Sequence, residues 1–261
     1  MGLCVLGTLP LEVAGARVWR RPARLALAVL PVTVLFSCWD ALSIHEGWWT
    51  YSPRYTTGVD LPGHLPIEEV VFFLVIPLCA LLTLESVRRM LGDGDTGRSG
   101  PAGSEAAERD RGLAGAANRG QVVGSLRPGL AAAVLGAGVA AELALATLAP
   151  RDFPVYTVSA AAGVVVVVVL EVGAAHSGLF RQRAYWISIA IVIAFQIPVD
   201  GWLTKLSAPI VLYSPAHFLG LRFPWDIPLA DFAYGFALVT LALLGWERAG
   251  RVRGHGDKLE A

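Results

Sequence analysis

The chain has 261 residues, of which 55% are apolar and 16% charged, whereas a soluble domain carries roughly 25% charged residues. Its mean hydropathy is +0.57, and 21 basic residues balance 21 acidic ones. These values exclude a soluble enzyme and a disordered segment and give nucleic acid nothing to bind; the chain reads as an integral membrane protein.

In chain order, residues 1–16 form a short apolar span interrupted by Pro10 and Glu12. Stretches long enough to cross the hydrocarbon core, about 20 residues, follow at roughly 25–45, 66–87, 129–149, 154–174, 184–203 and 227–246. About seven transmembrane helices in an all-α protein are expected. Residues 91–127 hold Gly, Ser, Ala, Arg, Glu and Asp with no apolar period, the composition of a flexible cytoplasmic linker. The run from Gly136 to Gly138 sits inside an apolar helix with no strand before it, so its small residues serve helix packing rather than dinucleotide binding. Cys4, Cys38 and Cys79 lie in apolar segments without metal or disulfide spacing and read as small apolar filler.

Orientation follows from charge. With the loop after the first span in the cytoplasm, 17 basic residues fall on cytoplasmic segments and 4 (Arg54, Arg151, Lys205 and Arg222) on outer ones. The positive-inside rule then puts the N-terminus outside and the C-terminus in the cytoplasm. Only Lys205 and Lys258 are lysines; the Arg, Ala, Gly and Val bias fits a high-GC bacterium, hence the bacterial cytoplasmic membrane.

Two halves of the chain match in order. Leu11-Glu12-Val13 recurs as Leu170-Glu171-Val172, Asp40 as Asp200, Tyr51-Ser52-Pro53 as Tyr213-Ser214-Pro215, Gly58 as Gly220, and the segment from Pro66 to Glu69 as Pro228 to Asp231. Spans 1–3 therefore equal spans 5–7, and a displacement of four spans makes them parallel repeats about an axis along the membrane normal. The expected division is 1–90 for the first repeat, 91–127 linker, 128–150 a connecting helix, 151–250 the second repeat and 251–261 a cytoplasmic tail. The first span is short beside its counterpart: only 10 residues precede Leu11. A turn or two of helix is expected to be missing there, or the start to be assigned too far downstream.

Candidate chemistry gathers at the outer ends. Pro66 and Pro228 each suit the first turn of a helix, which places Glu68, Glu69 and Asp231 in first turns with Phe72, Phe73 and Tyr234 on the following one. Complementing the helix dipole is the alternative role for these acids, and adjacent Glu68 and Glu69 cannot share a face. Asp40 and Asp200 lie at outer helix ends within reach of the same region, where capping or interhelical hydrogen bonding competes evenly with catalysis. Glu12 and Glu171, near inner ends, read as helix–helix glue, and Glu142 has no repeat partner and no assigned role. Trp48, Trp49, Tyr51, Tyr55, Trp202, Tyr213 and Trp225 populate the outer boundary as an aromatic belt, some of them lining a pocket. His45, His64 and His217 show no ligand spacing, so no metal site is expected.

The runs Trp39-Asp40-Ala41, Trp48 to Pro53 and Leu65 to Glu69 with Phe72-Phe73 resemble the first half of the lycopene cyclase domain family. Asp200-Gly201, Ala208-Pro209, Tyr213, Gly220 to Arg222, Ile227-Pro228, Asp231-Phe232 and Trp246-Glu247 resemble its second half. One departure stands out: the second motif of the family has Glu-Asp after Pro-Ile, and here it reads Ala230-Asp231. The resemblance implies a carotenoid substrate, with lycopene converted through γ-carotene to β-carotene, and partners limited to membrane lipid and other carotenoid-pathway enzymes. That reaction is a redox-neutral isomerisation needing a protonated carboxylic acid, a base and aromatic faces for a cation, and it demands no cofactor. Glu68 or Glu69 would supply the proton and Asp231 would serve as base or cation stabiliser, with Asp40 and Asp200 in support. The rings of Phe72, Phe73, Tyr51, Tyr213, Tyr234 and Trp49 would each contribute about 0.5–2 kcal/mol to holding the cation. A prenyltransferase lacks its Asp-rich motifs here, and a retinal protein lacks its lysine in 227–246. A transporter or binding protein for a small lipid, or a cyclase for a C50 carotenoid, remains the alternative reading.

Overall fold

The computed structural model describes residues 2–92 and 127–256. The expected linker lies outside the described residues except at its two ends, as do residues 257–261 of the tail. Helix α1 (Gly2–Leu11) continues into a π-helical turn, Glu12–Ala16. The other helices are α2 (Pro22–His45), α3 (Ile67–Met90), α4 (Pro128–Leu148), α5 (Val155–Val169, continuing into a π-helical turn Leu170–Ala175), α6 (Arg183–Thr204) and α7 (Leu229–Gly256). Among the described residues six helices are long and apolar enough to cross a membrane, and α1 is the shorter seventh. The protein is an all-α membrane protein. Proline sets several starts: Pro22 and Pro128 stand in the first turns of α2 and α4, and Pro66 caps α3, as expected where a missing N–H costs nothing. The last helix outruns expectation, continuing ten residues past 246.

The order helix, π-turn, helix, outer strand, helix occurs twice, as α1–α3 and α5–α7. The two copies interlock: α3 packs on α6, and α7 packs on α2, so each copy's third helix lies on the other's second. Helix α4 packs on α5 at the periphery, with little of its surface buried. The largest core cluster fills the inner half around Leu81, Leu84, Leu179, Tyr185, Leu243 and Trp246, and a second gathers Trp48, Trp49, Tyr156, Val211 and Ala230 at the outer end.

Four short strands in the outer loops were not legible in the hydropathy: β1 (Trp49–Tyr51), β2 (Asp60–Leu61), β3 (Leu65–Pro66) and β4 (Val211–Tyr213). β1 pairs antiparallel with β4, Trp49 opposite Tyr213, Thr50 opposite Leu212 and Tyr51 opposite Val211. Tyr51 and Tyr213 are repeat equivalents, so the repeat exchanges the two outer pairs and carries the central pair onto itself. The Thr50–Leu212 pair marks where the pseudo-twofold axis crosses.

Glu12 and Glu171 do not glue helices together. Each carboxylate bends back to the backbone six residues on, Glu12 accepting from Val18 N–H at 2.8 Å and Glu171 from Ser177 N–H at 3.0 Å. Both π-turns are left through a residue in the left-handed region, Arg17 and His176. A helix end leaves carbonyls rather than N–H groups unpaired; the N–H that each carboxylate takes belongs to the loop that follows the left-handed residue.

Candidate active site

Because Pro66 and Pro228 precede α3 and α7, Glu69 and Asp231 occupy the same third position of equivalent helices. Asp40 and Asp200 come from the outer parts of α2 and α6. All four line one cavity of about 520 Å³. The β1–β4 ribbon covers it: Trp49, Tyr51, Val211 and Tyr213, alternate residues of the two strands, face the cavity, while Thr50 and Leu212 point away and are exposed. Period-two alternation therefore puts one face of a six-residue ribbon over the acids.

Each acid is held differently. Asp231, buried, accepts from the Tyr156 hydroxyl and, at 2.8 Å, from the Tyr213 hydroxyl, so both its oxygens are engaged. Asp40, also buried, accepts from Trp49 Nε1 at 2.9 Å and from the Tyr51 hydroxyl at 3.3 Å. The Gln196 amide donates to Asp200 at 3.2 Å and to the Asp231 carbonyl at 2.9 Å. Burial first, and then the carboxyls of Asp40 and Glu69, push the Tyr51 phenol well above its ordinary range; burial and then Asp231 and Asp200 do the same to Tyr213. Both tyrosines therefore stay neutral donors.

Glu68 is elsewhere. Its Oε1 accepts from Thr57 N–H at 2.5 Å, its Oε2 is buried without a partner, and it does not line the cavity. Its repeat equivalent is Ala230, which packs in the outer apolar cluster. The departure from the family pattern at Ala230 thus removes no acid from the cavity.

Phe72, Phe73 and Tyr234 line the cavity with Trp49, Tyr51 and Tyr213. Three further side chains were missed. Trp39 lines the cavity and stacks on Tyr234 at 4.8 Å between centroids. Tyr156 stands in the first turn of α5, and Gln196 is a lone amide in an apolar span, where a polar group usually has a purpose. Of the outer aromatics, Trp202 and Trp225 are exposed as a belt requires, whereas Trp48 and Trp49 are core. Among the described residues no Arg, Lys or His lines the cavity, and no cluster of metal-ligating side chains occurs.

The sequence model of the lycopene cyclase family matches residues 3–87 and 154–248, the segments that carry α1–α3 and α5–α7. A stretch of 57 residues is 46% identical to the lycopene beta-cyclases of two strains of Halobacterium salinarum. That stretch is 22% of this chain and spans only 24% of those relatives' length. No solved structure matches the chain. The two matched segments make up more than half of the sequence and are the two halves that enclose the four carboxyls: the chain belongs to the lycopene cyclase family.

Proposed function

We propose that this protein is a lycopene β-cyclase of a bacterial cytoplasmic membrane, closing β-rings on the ends of lycopene by way of γ-carotene. The observation that carries the reading is the cavity: four carboxyls and a wall of aromatic rings, with no basic side chain among the lining residues. Four carboxyls in one cavity, with only Arg222 acting from behind the Tyr213 ring, hold protons among them rather than four bare charges. A proton from one of them adds to the terminal double bond, and the resulting cation closes a six-membered ring onto the neighbouring alkene. Another carboxylate then takes a proton from the ring, so the formula is unchanged and no electrons are gained or lost.

Glu69 is the acid in this scheme: it lines the cavity from the first turn of α3, with the Tyr51 hydroxyl as its donor. Asp231, held by two tyrosine hydroxyls, suits the base, and the hydroxyls keep it aimed. Asp40 and Asp200 position the site. Tyr234, Phe73 and Trp49 offer ring faces to the cation. The chain's partners are the carotenoid and membrane lipid, with other carotenoid-pathway enzymes as neighbours.

Expression in a lycopene-accumulating bacterium, followed by pigment separation, tests the scheme. β-Carotene is expected from the wild type and from Glu68→Gln. Glu69→Gln and Asp231→Asn are each expected to lower ring formation by about a hundredfold or more, blocking both rings together. Unchanged lycopene from the wild type would favour a lipid-binding or transport role instead. Clean arrest at the one-ring product in both acid variants would mean two separate sites.

A further inference from the structure

The carboxyls occupy only the outer end of their cavity. Beneath them it continues as an apolar groove on α3, walled by α1 on one side and α6 on the other. Along α3 its lining runs from Glu69 through Ile76, Ala80 and Thr83 to Met90. That is about 30 Å of helix at 1.5 Å per residue, comparable to the hydrocarbon core of a bilayer. Below the acids no lining side chain among the described residues is charged. Phe195 and Met90, both on the lining, are largely exposed, so the groove opens sideways at α6 and again at its inner end.

We propose that this groove is the binding site for the unreacted remainder of a linear polyene, inserted end-on with its reacting terminus at Glu69 and its tail lying along α1. The inference rests on the cyclase reading above and adds the substrate's direction and length. A stiff apolar rod needs an apolar, membrane-long slot with chemistry at one end, and the groove is apolar, about as long as the hydrocarbon core and acidic at one end only. Since the acids sit at one end only, a two-ended substrate reacts at one terminus, leaves, and returns reversed. The one-ring carotenoid is therefore a released intermediate.

Gly7 makes the groove testable. It lines the groove, and a Cβ placed on it meets nothing within 4 Å, so there is open space at this position for added side-chain atoms. The next residue fixes its depth: Thr8 Oγ1 lies 3.4 Å from Cys79 Sγ, ten residues below Glu69, about 15 Å down α3. Gly7→Phe would plug the slot halfway.

The experiment compares lycopene with an acyclic polyene of half its length bearing the same terminal double bond, using purified protein in lipid nanodiscs. For Gly7→Phe, kcat/KM on lycopene should fall by about tenfold or more while the half-length polyene stays within about twofold of wild type. Leu11→Phe, one helical turn deeper, carries the same expectation should Gly7→Phe fail to accumulate. Equal losses on both polyenes, or no loss on either, would overturn the groove assignment. A wild-type protein that closes no ring on either polyene would instead overturn the cyclase reading, and the groove assignment with it.

Discussion

Trp39 shows how much one side chain can depend on a remote one. Its ring stacks on Tyr234 and lies 5.3 Å from Trp49, while its Nε1 donates to Glu142 at 3.1 Å and to Ser159 at 3.0 Å. Glu142 belongs to α4, outside both matched segments, and behind it lies a smaller cleft of about 200 Å³ between α2, α4, α5 and α7. The carboxyl left without a role in the sequence thus orients a ring of the acid cavity. Glu142→Gln keeps an acceptor and should keep activity. Glu142→Leu should lower kcat by about tenfold with KM little changed, and adding Trp39→Phe should cost nothing more. Fully additive losses in steady-state kinetics would refute the link. Asp40, Glu69, Asp200 and Asp231 were legible because an acid in an apolar span is conspicuous and these four repeat. Trp39 and Glu142 were not paired in advance because 103 residues separate them and only folding joins them. Glu68 and Glu69 could not be told apart, since first-turn neighbours look alike until the helix fixes which one faces inward.

Among the elements, the spans were readable from apolar length alone, and the structure moved their ends by only a few residues except in α7. The strands were invisible for a physical reason: two- and three-residue strands have no period, and pairing across 162 residues depends on the helices first bringing the loops together. The inner end is fastened differently. Arg88 on α3 bonds Glu85 at 2.9 Å, Glu247 on α7 at 2.8 Å and Gln182 before α6 at 2.5 Å. Trp246 Nε1 donates to Glu85 at 2.8 Å, and Arg24 on α2 lies over the Trp246 ring. Three helices and the lead into a fourth meet at this mostly buried clamp. Removing one partner leaves the others desolvated and unpaired, so Arg88→Ala should destabilise the protein by about 3–5 kcal/mol. A thermal shift assay in detergent would read that loss, and an unchanged midpoint would show that the clamp contributes nothing net.

At the scale of the whole molecule, the two ends differ in kind. Arg17, Arg88, Arg89, Arg181 and Arg251 gather where both π-turns lie, with Arg89 donating to the Gly15 carbonyl and Arg251 to the Ser177 carbonyl at 2.8 Å. The acids and the strand ribbon occupy the opposite end. From the charge asymmetry we propose that the arginine end faces the cytoplasm. Single cysteines within 50–64 or 205–225 should then react with an impermeant reagent added outside intact cells. Labelling of those loops only after the cytoplasm is opened would reverse the orientation. The repeat predicted the parallel arrangement, but not the interlocking of α3 with α6 and α7 with α2, because sequence symmetry does not say which copy a helix will pack against.

The seam over the cavity is symmetric down to its flanking hydrogen bonds: Ser52 N–H donates to Ile210 and Ser214 N–H to Trp48, each at 2.8 Å. Such a seam is a subunit interface that happens to lie within a single chain. Covalent continuity between the halves is then dispensable, and a chain cut between residues 93 and 126 should reassemble as a heterodimer when both pieces are made together. Leu212→Pro, which removes a ribbon N–H, should weaken pull-down of one piece by the other far more than it lowers the yield of the uncut protein. Neither half should form rings alone, since each brings only two of the four carboxyls. Pieces that do not associate in membranes would mean that the segment between them is needed for assembly.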